Sequence, residues 1–299
     1  MNNERTTPPT MEHPASRVGE YFSLTKPRLT LLSVLTAVGS TYLASGENFH
    51  FLLIVHTFVG TWLVGGAAGT LNQYAERLLD AVMKRTRNRQ LPAQRIEPHK
   101  ALWFGIILAL LGVLYLAVAT NLWAAGTGLL TLLLYLLLYT PMKRKTPFAT
   151  ILGGIPGALP TLIGWAVGRG AITIEAWSLF FILFFWQMPH FLALAWIYRV
   201  DYARADHKIL TVVDPSGIVA SRQMLIYAVA LFPAALMPTL VGLLGIVYFI
   251  GAAVFTSIFL WIAFRHYRDR SNESAKLLFT FSLIYLSALM SLMVLDRIL

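Results

Sequence analysis

Phe51-Leu52-Leu53-Ile54-Val55-His56-Thr57-Phe58-Val59-Gly60-Thr61-Trp62-Leu63-Val64-Gly65-Gly66-Ala67-Ala68-Gly69-Thr70-Leu71 runs straight into Asn72-Gln73-Tyr74-Ala75-Glu76-Arg77-Leu78-Leu79-Asp80, with no Gly or Pro in the polar part. The apolar part is long enough to cross a hydrocarbon core of about 30 Å as a helix. The polar part then reads as the same helix carried out of the lipid. In a bilayer an isolated strand would leave its backbone N–H and C=O groups unpaired, so the segment is read as helical.

Working outward, the same pattern recurs at Leu29–Ala44, Ala101–Ala119, Leu122–Tyr139, Thr150–Val167, Ala176–Tyr198, Met224–Leu244, Ile246–Phe264 and Leu277–Leu295, giving nine expected spans. The chain is 57% hydrophobic and 13% charged, against roughly 25% charged in an ordinary soluble domain. The expected fold class is all-α: a polytopic membrane protein with one transmembrane domain, 29–299, behind an N-terminal segment, 1–28. That segment carries Glu4, Glu12 and Glu20 and no basic start followed by a short apolar stretch, which argues against a cleaved signal peptide or a mitochondrial transit peptide. The bacterial cytoplasmic (inner) membrane is the expected location. The sequence has no cysteine, which excludes disulfides, thiolate metal sites and a Cys nucleophile.

The net charge of +10 would suit nucleic acid, but its distribution points elsewhere. With the N-terminus inside, every Lys and Arg except Arg169 and Arg297 falls on the inner side. This positive-inside pattern places the N-terminus in the cytoplasm and makes the lipid bilayer, with no nucleic acid, the partner of most basic residues. The first span is entered through Thr25-Lys26-Pro27 and the fifth through Lys145-Thr146-Pro147. That hints at a duplicated set of four helices with a ninth added, which would bring the polar segments after the second and sixth spans to equivalent places around one cavity.

Asn72, Glu76 and Asp80 are spaced i, i+4, i+8, so they drift by about 80° and form one stripe about 12 Å long. Two carboxylates and an amide oxygen are hard ligands of the kind Mg²⁺ takes, usually with its shell completed by water and substrate phosphates. Beyond them comes Met83-Lys84-Arg85-Thr86-Arg87-Asn88-Arg89. Acids followed by Lys and Arg suit a magnesium diphosphate. The competing reading is a solvated helix end with Glu76–Arg77 and Asp80–Lys84 pairs. In the second polar segment, Asp201 and Asp206 diverge by about 140° on a regular helix and share a site only if it ends between them. Arg199, Arg204 and Lys208 beside them are candidate phosphate contacts, or a basic juxtamembrane loop.

Together these stretches resemble the membrane-embedded prenyltransferases of the UbiA type. Asn72-x₃-Glu76-x₃-Asp80 is similar to the first signature of that family, and the Met83–Arg89 tail is close to the form seen in its heme-farnesylating branch. Tyr21-Phe22-Ser23-Leu24-Thr25-Lys26-Pro27-Arg28, Tyr139-Thr140-Pro141-Met142-Lys143-Arg144-Lys145-Thr146-Pro147, Gly153-Gly154-Ile155-Pro156-Gly157-Ala158-Leu159-Pro160 with Ile163-Gly164-Trp165, and Trp186-Gln187-Met188-Pro189-His190-Phe191-Leu192-Ala193-Leu194-Ala195 point the same way. Glu76 stands where the family usually has Asp, Leu78 where many members have another Asp, and Gln187-Met188 and His207-Lys208 where Pro-containing pairs are common.

The resemblance implies a UbiA-type bundle around a central cavity and farnesyl transfer from farnesyl diphosphate to a vinyl group of protoheme IX, giving heme O. It implies Mg²⁺ as cofactor, held by Asn72, Glu76, Asp80 and Asp201 with Asp206, and a diphosphate held by Lys84, Arg87, Arg199 and Lys208. It also implies a place beside heme A synthase or terminal oxidase assembly. His190 is expected either as an axial ligand of heme iron or as the partner of a carbonyl freed by Pro189. Tyr74, Tyr139, Tyr202, Trp165 and Trp186 are expected to line the pocket or to anchor and pack. The other readings are a UbiA-type enzyme with a quinone-precursor or chlorophyllide acceptor, an ion-coupled transporter using Glu76, Asp80 and Asp201, and a non-catalytic oxidase assembly factor. A transporter expects acids at mid-membrane, whereas these gather at span ends.

Overall fold

The computed structural model describes residues 16–298, so Glu4, Arg5 and Glu12 lie outside the described residues. Among those described there are helices and no strand. In chain order they are α1 (Arg17–Leu24), α2 (Pro27–Ser45), α3 (Phe51–Val82), α4 (Pro98–Ala119), α5 (Leu122–Leu133), α6 (Thr140–Met142), α7 (Ala149–Arg169), α8 (Ile174–Ile197), α9 (Arg199–Arg204), α10 (Leu210–Val213), α11 (Ile218–Leu240), α12 (Ile246–Asp269) and α13 (Asn272–Ile298). A π-helical turn, Leu134–Tyr139, joins α5 to α6 and makes them one span. Among the described residues nine helices are long and apolar enough to cross a membrane, and large apolar side chains such as Leu110, Leu114, Val118, Val254 and Trp261 stand exposed on their outer faces. This is a multi-pass membrane protein.

The spans match the apolar runs, but several helices are longer than the runs. α3 has 32 residues, about 48 Å at 1.5 Å per residue, so its end stands well beyond a core of about 30 Å. α11 starts at Ile218 rather than Met224, because Asp214 Oδ2 accepts from the free N–H groups of Val219 and Ala220 at 2.8 and 3.0 Å. Hydropathy marks the membrane crossing; caps mark the helix ends. At the opposite side α12 is capped from outside its own sequence, with Asp296 of α13 accepting from the Gly245 N–H and, at 2.9 Å, from Tyr248 N–H.

The first and fifth spans, the pair singled out by their Lys, Thr and Pro entries, lie against each other. A Cβ on Gly164 of α7 would sit 1.9 Å from the Ala37 carbonyl oxygen of α2, so only glycine admits this contact. The close approach lets Ser40 donate to Thr161 O at 2.7 Å and Thr41 to Gly164 O at 2.9 Å. Small residues and hydroxyls of this kind hold helices together where lipid competes equally for apolar surface. α7 and α8 are the most enclosed spans. Gln187, one of the departures from the family pattern, joins them by donating to Gly154 O at 2.7 Å.

Two local devices place the polar end. Pro141 has no N–H for the carbonyl one turn back, and the ladder opens into the π-helical turn, where Thr140 Oγ1 donates to Tyr135 O at 2.8 Å. Between α1 and α2, Lys26 takes a left-handed conformation (φ 50°), turning its side chain back toward α3.

Candidate active site

The stripe on α3 is buried. Asn72 and Asp80 are each 1% exposed and Glu76 7%, while Leu78 on the other face is 76% exposed. Carboxylates so enclosed need compensating cations. Glu76 receives Lys143 Nζ on both oxygens, at 2.9 and 3.0 Å. Asp80 receives Arg89 at 2.8 Å. Asn72 Oδ1 accepts from Lys26 Nζ at 2.7 Å, and its amide nitrogen donates to Glu76 at 3.0 Å and Thr140 Oγ1 at 3.2 Å. The pairs expected of a solvated helix end, Glu76 with Arg77 and Asp80 with Lys84, are not the ones formed: Arg77 turns back to Tyr74 O, and Lys84 is exposed.

The chain leaves the helix at Met83, whose backbone is extended. Met83, Thr86, Leu91 and Ile96 are buried, Thr86 Oγ1 donates to Asp80 O at 2.8 Å, and Glu20 of α1 pairs with Arg95 at 2.8 Å. The basic run therefore folds back over α3, and it is Arg89 that reaches Asp80, while Lys84 and Arg87 stay on the exposed rim.

Three polar segments meet here. Arg85 lies over the rings of Tyr198 and Tyr202, at 5.4 and 5.8 Å, and reaches Tyr202 OH at 3.4 Å. The Lys208 N–H donates to Lys143 O at 2.9 Å. His207 is buried, its Nδ1 unpartnered among the described residues and its ring edge-on to Tyr202, with centroids 5.6 Å apart. Burial and the cation of Lys143 hold His207 below the ordinary histidine range, against the pull of Glu76 and Asp80. Burial, with Arg89 and Lys143 close by, pulls the Lys26 amine down to about 7 despite the same two acids. Burial also opposes the charge on Lys143, yet the Tyr139 and Glu76 oxygens beside it hold that amine above the usual lysine value. Lys26, Thr140, Lys143, Arg89 and His207 thus belong to the cluster; of these the sequence reading offers only Arg89, as one of the basic residues of the Met83–Arg89 run.

The acids of the second segment are placed differently. α9 ends at Arg204, so the helix does stop between Asp201 and Asp206, and Asp206 is left-handed (φ 51°). Asp201 pairs with Arg204 of its own helix at 2.8 Å. Asp206 is exposed and 3.9 Å from Arg144. Arg199 is turned to the start of α13, donating to Asn272 Oδ1 at 2.9 Å over the Trp196 ring. Lys208 is exposed at the side chain. Among the described residues no three His, Asp or Glu side chains gather into a group that holds a metal by itself.

Of the aromatic candidates, Tyr139 lies under Lys143 Nζ at 4.7 Å and Tyr202 under Arg85. A Cβ on Gly153 would strike the Tyr139 ring at 2.5 Å, so this glycine of α7 makes room for it. Tyr74 sits beneath Arg77 at 4.6 Å. Trp165 is tied to Thr173 near the far end of α7, by a bond of 3.0 Å, and Trp186 stacks on His190.

Comparison with known proteins gives one answer. The family model described as "UbiA prenyltransferase family" matches residues 32–288. The chain is 42% identical to the protoheme IX farnesyltransferase of Solibacter usitatus over 287 residues, covering 93% of this chain and 98% of that one. It is also 42% identical to the enzyme of the same name from Myxococcus xanthus, covering 93% and 95%. Its fold matches a solved digeranylgeranylglyceryl phosphate synthase with a TM-score of 0.80 at 16% identity, covering 94% and 98%. It matches a UbiA homologue from Archaeoglobus fulgidus, solved with DMAPP and Mg²⁺ bound, with a TM-score of 0.61 at 16% identity, covering 92% and 99%. A bundle of nine apolar helices with a buried acid stripe under a lid of basic side chains, and a match over nearly its whole length, place this chain in the UbiA prenyltransferase family.

Proposed function

We propose that this protein transfers the farnesyl group of farnesyl diphosphate to a vinyl group of protoheme IX, making heme O, at the end of the bundle where α3 leaves the membrane. The observation that carries this reading is the enclosed set of Asn72, Glu76 and Asp80 interlocked with Lys26, Lys143 and Arg89. Heme as acceptor rests on the relatives that match over nearly the whole chain and are named protoheme IX farnesyltransferase. A quinone-precursor or chlorophyllide acceptor lacks that support, and a transporter path lacks acids at mid-membrane.

The donor set fits Mg²⁺: carboxylate and amide oxygens, with no sulfur in the chain. Asn72, Glu76 and Asp80 would hold it from α3, and Asp201 with Asp206 from the second segment. When bound it supplies positive charge to the diphosphate oxygens. The cations now paired with the acids, Lys143 and Arg89, together with Lys26, neutralise the remaining diphosphate charge. Lys84, Arg87 and Lys208 on the rim draw the anion in, and Arg199 braces the loop against α13. The C1–O bond of farnesyl diphosphate breaks with its electron pair leaving on the diphosphate. The vinyl π electrons close on C1 of the allylic cation, and water adds to the resulting carbocation with loss of a proton. No enzyme nucleophile is needed. Apolar spans exclude stray water from the farnesyl tail, and the Tyr139 and Tyr202 rings present faces suited to a cation.

In this reading the N-terminal segment 1–28 and the acid end face the cytoplasm of a bacterium, the chain lies in the inner membrane, and the product passes to heme A synthase or terminal oxidase assembly. The test is the purified protein given hemin, farnesyl diphosphate and Mg²⁺, with products read by mass. A porphyrin carrying one farnesyl group plus water is expected. Prenylation of a quinone precursor or chlorophyllide in place of heme would overturn the acceptor.

A further inference from the structure

His190 of α8 is held as a metal ligand is held. Its ring lies between Trp186 (centroids 5.0 Å apart, planes at 22°) and Phe279 of α13 (4.8 Å, 27°), with the Phe191 ring edge-on at 5.2 Å. Nδ1 is 2.7 Å from Ser282 Oγ on α13. That hydroxyl has one hydrogen and gives it to Phe279 O. Oγ therefore accepts at Nδ1, the imidazole proton sits there, and the lone pair is on Nε2. The Ser282 backbone carbonyl is fixed in turn by Trp186 Nε1 at 2.7 Å.

Among the described residues Nε2 has no protein partner. It is also absent from the buried polar atoms that are sealed off unpaired, so it opens on accessible space although the residue is only 8% exposed. The local alternative, a bond from the ring to a carbonyl freed by Pro189, is not formed: the ring's hydrogen bond goes to the neighbouring helix. An imidazole whose other N–H is pinned by an outer partner, fixing tautomer and ring plane, is the usual arrangement of a metal-ligating histidine. The aromatic walls Trp186, Phe279 and Phe191 suit the flat apolar edge of a macrocycle.

We infer that His190 Nε2 is the axial ligand of the iron of the porphyrin acceptor, with Ser282 as the residue that orients it. The inference rests on the heme-acceptor reading and deepens it. Coordination through iron anchors the macrocycle by its centre and leaves its vinyl-bearing edge unengaged by the ligand.

The test is titration of the purified full chain with hemin and, separately, with metal-free protoporphyrin IX, followed by visible absorption. Wild type is expected to bind hemin with the spectrum of histidine-ligated iron. In His190→Ala that spectrum is lost and hemin affinity falls by about tenfold or more, while metal-free protoporphyrin binds as before; Ser282→Ala weakens hemin by about tenfold. Imidazole added to His190→Gly restores the ligated spectrum, which separates a lost ligand from a damaged fold. An unchanged iron spectrum in His190→Ala, or equal loss of both porphyrins without imidazole rescue, overturns the inference. Farnesylated heme made by a wild type whose iron spectrum ignores His190 sinks the ligand and spares the acceptor. No farnesylated porphyrin from the wild type sinks the acceptor reading instead.

Discussion

The two polar segments have similar compositions and opposite environments. On α3, Glu76 and Asp80 are buried and each meets a cation that comes from elsewhere in the chain, Lys143 from beyond α6 and Arg89 from the loop that folds back. On α9, Asp201 meets Arg204 three residues away, and Asp206 stands exposed. A buried ion pair is held only at a desolvation cost of several kcal/mol per ion, so removing one partner is far more damaging than at the surface. A partly exposed i,i+3 pair is worth at most about 1 kcal/mol. The first segment is therefore a preassembled electrostatic site built into the fold. The second is a neighbouring loop, joined to it through Arg85, His207 and the Lys208 backbone.

The contrast can be broken at several points. The largest effect is expected from Lys143→Met, which leaves Glu76 buried without the cation that pairs with it: a loss of about 3 kcal/mol in denaturant unfolding in detergent. The Lys143→Met, Glu76→Gln double variant should recover most of that stability and still not turn over. Equal stability of the single variant and wild type would show that Glu76 is not enclosed as described.

Asp201→Asn is expected to slow farnesyl transfer by about tenfold, against about a hundredfold or more for Glu76→Gln, with no change in unfolding midpoint. Equal losses in the two variants would erase the distinction between the segments. Asp296→Ala, which removes the cap of α12 at the opposite side, should cost about 1 kcal/mol of stability and leave turnover unchanged. The smallest effect belongs to the rim: Lys84→Gln, Arg87→Gln and Lys208→Gln should each raise KM for farnesyl diphosphate by about twofold to threefold at low ionic strength. That effect should fade as salt shortens the Debye length to about 3 Å near 1 M.

The spans were legible because membrane crossing imposes one rule, about twenty apolar residues per helix. The acid stripe was legible because helical periodicity places Asn72, Glu76 and Asp80 on one face. Its partners were not. Lys143 is far from Glu76 in sequence and is brought there by the π-helical turn before Pro141, which no periodicity announces. Lys26 reaches Asn72 through a left-handed turn that a lysine seldom adopts. Among four basic residues in Met83–Arg89, the one that meets Asp80 depends on the chain leaving the helix at Met83 and on the Thr86 bond to Asp80 O, both tertiary facts. Lys26 and Lys143 did stand in stretches that carry the family resemblance, and Lys26 also in the Thr25-Lys26-Pro27 entry to the first span, but nothing in either pattern paired them with Asn72 and Glu76. His207 stood among the departures from that pattern, and only its burial beside Lys143 draws it into the cluster.

The most direct test of the central claim is product formation by Asp80→Asn and wild type across a Mg²⁺ titration, with folding checked by the unfolding midpoint. Wild type should make farnesylated heme only with the metal present and stop when it is chelated, and a folded Asp80→Asn should be slower by about a hundredfold or more at every concentration. Wild-type turnover by Asp80→Asn, or product made as well after chelation, would contradict a site in which the α3 acids hold a metal on the diphosphate.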